Sequence, residues 1–191
     1  MSGKRNNGIQ QGEKSNIALI GYRCSGKSTV GKVLADRLHR RFIEVDDIIV
    51  SYARKPLKEL YQKDGEIKFR ELEIRAIKKA SSAKGAVISC GGGTVLNKIN
   101  IDRLRESCSI VLLTASENVL KERARLDYLH ERPPLTEKGV EQSIHQVMLL
   151  RGHLYNTYAD FSVDTTGLDV EGVVNRIADE VLGNDGHDRK G

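Results

Sequence analysis

The 191-residue chain has three cysteines, an odd number, at positions 24, 90 and 108, with no CxxC spacing and no neighbouring histidine pair. This argues against a disulfide framework and against a Cys/His zinc site, and makes reduced thiols the expectation. No apolar run approaches the roughly 20 residues that cross a bilayer. The N-terminal stretch MSGKRNNGIQQGEKSN lacks the hydrophobic core of a secretory signal, so a cytoplasmic protein without membrane association is expected. Aromatic residues make up 5% of the chain, and there is no zinc-finger or RNA-binding signature. The net charge of +5 is spread over tails and helix faces. Nucleic acid is therefore not expected as a partner, and a diffuse positive excess suits an enzyme that handles two anions.

What is present fits one globular domain: 39% apolar and 30% charged residues in a length that builds one substantial core. Residues 1–15 and 183–191 are polar and read as mobile tails around a domain at 16–182. Within it, short buried-type strands alternate with helical patterns. The strands are Ile17–Ile20, Phe42–Val45, Ala86–Cys90, Ile110–Leu113 and Phe161–Val163. The helices are a short one after Pro56, a longer one from about Glu66, one near Ile101–Arg105, one opened by Ser116 as N-cap, one over Glu137–Tyr158 and a closing one through Val181. Five strands separated by helices predict an α/β fold, a parallel sheet with helices on both faces, whose ligands gather beyond the carboxyl ends of the strands. At about 124–136, ARLDYLHERPPLT breaks the helical pattern with two adjacent prolines and reads as a lid.

GYRCSGKST, Gly21–Thr29, matches G-x-x-x-x-G-K-[ST] between a strand and a helix. Unpaired N–H groups and the helix dipole at such a junction bind phosphate. Gly21 and Gly26 permit close approach, Lys27 places a charge on the outer phosphates, and Ser28 can ligate Mg²⁺. Cys24 is read as a small residue filling a loop position. Asn97-Lys98-Ile99-Asn100 looks like a guanine-reading N-K-x-D. It lacks the final carboxylate and follows the wrong strand, so it is read as a helix-start loop.

With these residues placed, the chain resembles the shikimate kinase family from about Ile17 to Val181. Phe42 to Asp46 looks like F-x-D-x-D, and Asp64-Gly65-Glu66 with Phe69-Arg70 and Glu73 looks like DGE-x-x-FR-x-x-E. Gly91-Gly92-Gly93 matches the glycine triplet, Arg132-Pro133-Pro134-Leu135 resembles RPLL, and Arg151 with Tyr155 resembles R-x-x-x-Y. The resemblance implies a P-loop kinase fold, commonly monomeric, that transfers the ATP γ-phosphate to the 3-hydroxyl of shikimate with Mg²⁺. It implies ATP binding by Gly21, Cys24, Ser25, Gly26, Lys27, Ser28, Thr29 and Arg132, with either Arg123 or Arg125, Arg125 being preferred, stacked on adenine. Shikimate binding is implied for Asp46, Arg70, Gly91, Gly92, Gly93 and Arg151, and catalytic roles for Lys27, Asp46 and Arg132.

The chain departs from the family pattern in a lid about two residues longer, in Pro134 of Arg132-Pro133-Pro134-Leu135, which stiffens it, and at Cys24 and Glu44. Cys24 stands where a further loop glycine is usual, and Glu44 replaces the first Asp of F-x-D-x-D, a position implied to reach Mg²⁺ through water. Two rival readings are a related kinase for another hydroxylated acceptor such as gluconate, and a nucleotide-binding module without turnover.

Overall fold

A computed structural model describes residues 14–128 and 140–184. Its five strands are β1 (Asn16–Gly21), β2 (Arg41–Glu44), β3 (Ala86–Ser89), β4 (Cys108–Thr114) and β5 (Phe161–Asp164). They form one sheet in the order β2-β3-β1-β4-β5, and every pair is parallel. The helices are α1 (Lys27–Arg37), α2 (Val45–Ala53), α3 (Leu57–Ser81), α4 (Lys98–Ser107), α5 (Glu117–Tyr128), α6 (Val140–Tyr158) and α7 (Val170–Asn184).

Strand side chains alternate between two cores, as the period-two geometry of a strand requires. Ala18, Ile20, Ile43, Ile88, Ile110 and Leu112 face one side, where they pack with Ile49 of α2, Leu72 and Ala76 of α3, Ile101 and Leu104 of α4 and Tyr155 of α6. Ile17, Leu19, Val87, Val111, Leu113 and Val163 face the other, against Val30 and Leu34 of α1 and Val173, Val174 and Ile177 of α7. Both faces are covered, which is why these strands read as apolar runs and not as an alternation with polar residues.

Two local readings change. The expected second strand reached Val45, but β2 ends at Glu44 and Val45 opens α2. The helix had no periodic run long enough to announce it. Its nine residues begin with Val45, Asp46 and Asp47, two carboxylates in the first turn, where the helix dipole favours negative charge. The two helices expected around Gly65 join into α3 across a break at that residue, with φ 80 and ψ 174, angles that glycine adopts without penalty. Asn97 does cap α4, its side chain accepting from the Ile99 N–H at 3.1 Å, and Ser116 Oγ accepts from the Val119 N–H at 3.4 Å at the start of α5. Most of the expected lid, including His130 and Arg132, lies outside the described residues. Among the described residues no helix is long and apolar enough to cross a membrane.

Candidate active site

The phosphate loop follows β1, the central strand, and passes directly into α1. Gly21 has φ 144, and a Cβ there would overlap the carbonyl oxygen of Leu113 on neighbouring β4. Gly26 caps α1 with φ 96. Lys27 is only 9% exposed, and its Nζ donates to the carbonyls of Tyr22 at 2.6 Å and Gly21 at 3.0 Å. The ammonium is thus drawn in beneath the loop that it serves. Cys24 takes φ 65, the left-handed conformation that glycine adopts more readily, so it keeps the backbone shape that the resemblance assigns to a glycine.

A cavity of about 960 Å³ opens beside the loop. At one end it is lined by Arg123, Thr165, Leu168, Asp169 and Val173, and at the other by Asp46, Tyr61, Arg70, Glu73, Gly91–Gly93, Arg151 and Tyr155. The loop residues Tyr22 to Val30 lie between. The sheet rule brings these together: β1, β2 and β3 all release their chains at the same rim.

The second end is held by side chains. Arg70 Nη1 donates to Glu73 Oε2 at 2.9 Å, while Nε and Nη2 donate to Glu66 Oε1 at 3.2 and 3.1 Å. Glu73, 1% exposed, also accepts from Thr94 Oγ1 at 3.2 Å. Burial raises the carboxyl pKa of Glu73, and the opposing pull of Arg70 and the Thr94 bond does not fully offset it. Gly93 adjoins this pair so closely that a Cβ would overlap the Arg70 guanidinium. A Cβ on Gly91 would lie 3.2 Å from Glu73 Oε1 and 3.5 Å from Asp46 Oδ1. Asp46 and Glu73 therefore flank the glycine triplet. The Gly92 carbonyl accepts from Arg151 Nη1 at 3.4 Å and from the Tyr155 hydroxyl.

A phosphate-loop backbone, a carboxylate and two guanidinium groups around glycines are the kind of parts that a small-molecule kinase needs. A family model described as shikimate kinase matches residues 23–182. The chain belongs to the shikimate kinase family. It is 40% identical over 163 residues to the shikimate kinase of Geobacter sulfurreducens, covering 85% of this chain and 88% of that one. It is 39% identical over 165 residues to that of Thermodesulfovibrio yellowstonii, covering 86% and 94%. The solved shikimate kinase of Acinetobacter baumannii, in complex with shikimate, superposes with a TM-score of 0.84 at 27% identity, covering 90% of this chain and 95% of that one.

As a member of the family the protein is a kinase, and most of its expected site residues lie in one cleft. Gly21 borders the loop, residues 24–29 line the cavity, and so do Asp46, Arg70, Gly91–Gly93, Arg151 and Glu44. Arg132 lies outside the described residues. Of the two candidate adenine residues, Arg123 lines this cavity, whereas Arg125, the one preferred from sequence, is exposed and is not part of the lining. Arg123 donates to Thr165 Oγ1 at 2.9 Å and to the carbonyls of Thr165 and Cys24 at 3.3 and 3.5 Å. It thereby ties α5 to both the phosphate loop and the segment after β5.

Glu73 and Tyr155 were quoted within motifs but given no task. The i, i+3 spacing of Arg70 and Glu73 and the i, i+4 spacing of Arg151 and Tyr155 put each pair on one helix face, a signal already available in the sequence. Ser89 had no such signal. It ends β3 opposite Glu44, with its Oγ 3.5 Å from Ser28 Oγ.

These oxygens bear on Mg²⁺. Among the described residues no group of three or more His, Cys, Asp or Glu could hold a metal ion. A hydroxyl at Ser28 with one carboxylate, Glu44, in the same cleft fits Mg²⁺. That ion keeps several waters and takes phosphate oxygens, so it needs no protein cage.

Proposed function

We propose that this protein phosphorylates the 3-hydroxyl of shikimate with ATP, using the cleft described above. The observation that carries the reading is that one cavity joins a phosphate loop to a pocket holding both a carboxylate, Asp46, and two guanidinium groups, Arg70 and Arg151. Shikimate is a carboxylated triol, so it needs cations at one end and hydroxyl acceptors at the other. Arg70 and Arg151 would take the carboxylate through paired N–H···O bonds. Asp46 would accept from the hydroxyls, and the glycine triplet lets the ring approach the main chain.

Phosphoryl transfer depends on positioning and on compensating charge more than on covalent help from the protein. The loop N–H groups of Gly26 to Thr29 and the Lys27 ammonium would hold the β- and γ-phosphates. The acceptor oxygen bonds to the γ-phosphorus as the bond to the ADP oxygen breaks. The hydroxyl proton passes late to Asp46, which first orients the nucleophile. Ser28 would hold Mg²⁺, with Glu44 acting through water, and the ion would supply charge neutralisation at the phosphates when bound. Arg123 would lie along the adenine at the far end, where the lining is Thr165, Leu168 and Val173, and Arg132 would cover the transferred group and exclude water. All these residues come from one chain, so a monomer suffices. The three cysteines are unbridged, which suits the reducing cytoplasm.

The reading is tested by ADP release with ATP and Mg²⁺, comparing shikimate with gluconate, a nucleoside monophosphate and no acceptor. Stimulation by shikimate alone is expected. Stimulation by another acceptor, or by none while ATP still binds, would replace this reading with one of its two rivals. Asp46→Asn is expected to lower kcat by about a hundredfold, the lower range for a positioned acid or base.

A further inference from the structure

One aromatic pair outside these roles links the phosphate loop, the glycine triplet and α6. Tyr22 belongs to the phosphate loop and Tyr155 to α6, and their ring centroids lie 4.6 Å apart at an interplanar angle of 58°, a tilted contact of the favourable kind. Both are buried. The Tyr22 hydroxyl donates to the Met148 carbonyl at 3.3 Å, and the Tyr155 hydroxyl makes a short bond to the Gly92 carbonyl. Little room is left around them. A Cβ on Gly152 would lie 3.1 Å from the Tyr22 hydroxyl, and one on Gly92 would lie 3.4 Å from the Arg23 nitrogen and 3.6 Å from the Gly21 carbonyl oxygen.

The Gly92 carbonyl has two donors of unequal commitment, the Tyr155 hydroxyl and, at the longer 3.4 Å, Arg151 Nη1. Resting on the shikimate reading above, we propose that Tyr155 is a positioning residue for the acceptor: it satisfies the Gly92 carbonyl so that Arg151 keeps its guanidinium for the acceptor carboxylate, while Tyr22 braces it from the phosphate loop. The Gly92 carbonyl is part-buried, and a carbonyl at this depth pairs with a donor within reach. With the phenol removed, the nearest one is Arg151, and an N–H committed to Gly92 is lost from a two-bond grip on a carboxylate. Burial raises the Tyr155 pKa against the opposing pull of Arg151, so the phenol stays protonated and remains a donor.

Tyr155→Phe removes one oxygen and keeps the ring. It is expected to raise the shikimate KM about tenfold, the effect of one hydrogen bond, with kcat and the ATP KM within about twofold of wild type and the melting temperature little changed. Calorimetric titration with shikimate should show the same shift in Kd without turnover. In an Arg151→Ala background the same substitution should change shikimate affinity less than about twofold, because the group that it positions is gone. Tyr22→Leu should raise the shikimate KM about threefold, by withdrawing the ring from behind Tyr155.

An unchanged shikimate KM in Tyr155→Phe overturns the proposal. So do equal effects in the two backgrounds, or kcat and both KM values worsening together. A wild-type enzyme that shikimate does not stimulate would sink the acceptor reading itself, and the proposal with it. A wild type that turns over while Tyr155→Phe matches it sinks the proposal alone.

Discussion

Gly21 and Gly93 both sit where a side chain would collide, but with different neighbours. At Gly21 the obstacle is the backbone carbonyl of Leu113, and the residue has φ 144. At Gly93 it is the far end of the Arg70 side chain, and φ is an ordinary −97. On the proposed reading, the nucleotide half of the cleft is thus shaped chiefly by main chain, consecutive N–H groups between a strand end and a helix start, to which Lys27, Ser28 and Arg123 add their side chains. The acceptor half is made of side chains brought from α2, α3 and α6 around the triplet after β3, each held by another, as Glu73 and Glu66 hold Arg70 and Tyr155 adjoins Arg151. Backbone cannot be retuned without refolding the loop, whereas a side-chain pocket can change ligand while the fold stands.

Equivalent substitutions should separate the two halves. Gly21→Ala meets backbone that cannot yield and a φ unfavourable to alanine, each costing about 1–3 kcal/mol. It should cut kcat/KM for ATP by more than about a hundredfold and lower the melting temperature. Gly93→Ala only displaces a flexible guanidinium, so it should raise the shikimate KM about tenfold, the order of a lost charge-assisted bond, and leave the ATP KM unaltered. Steady-state kinetics with each substrate varied in turn checks both, and equal loss of ATP affinity in the two variants would erase the distinction.

A smaller effect depends on pH. Burial raises the Glu73 pKa, so the folded protein holds that proton to higher pH than the unfolded chain. The associated stability is fully present below the ordinary carboxylate pKa and is lost as pH rises through the raised value. Glu73→Gln cannot titrate. The stability of Glu73→Gln relative to wild type should therefore increase as pH rises from the ordinary carboxylate value, about 4, through the raised one, as read from denaturant midpoints. The shikimate KM should rise in the same variant, because Arg70 loses a charged partner.

The smallest change is expected for Cys24→Gly. Relief of a left-handed backbone is largely offset by the added freedom of glycine in the unfolded chain. A gain of less than about 1 kcal/mol should appear in thermal melts, with ATP kinetics unchanged. A large loss of activity would show that the thiol itself is used.

Much of this was legible before the fold was known. The five strands, their parallel class and the phosphate loop followed from short apolar runs and one local pattern, because strand burial and backbone anion binding are written in consecutive residues. Asp46, Arg70 and Arg151 were picked out by motif, and all three line one cavity. The start of α2 was not found, because Val45 suits a strand as well as a helix and only the turn into Asp46 and Asp47 settles it. The contacts of Glu73 and Tyr155 were missed although their spacing was visible, because spacing gives a shared face but not what that face meets.

Arg123 and Arg125 make the limit plain. Two residues apart on a helix, they point about 200° apart, and nothing in their composition says which direction is inward. The packing of α5 beside the loop turns Arg123 to Thr165 and Cys24 and leaves Arg125 at the surface. The sequence by itself determined the order of elements and the chemistry of the phosphate loop, where donor groups are neighbours along the chain. Only the tertiary structure decided which arginine enters the cleft, and that Gly92 and Gly93, far along the chain from Tyr155 and Arg70, lie against them. Those contacts depend on how helices rotate and pack over the sheet, and that is set by the whole core.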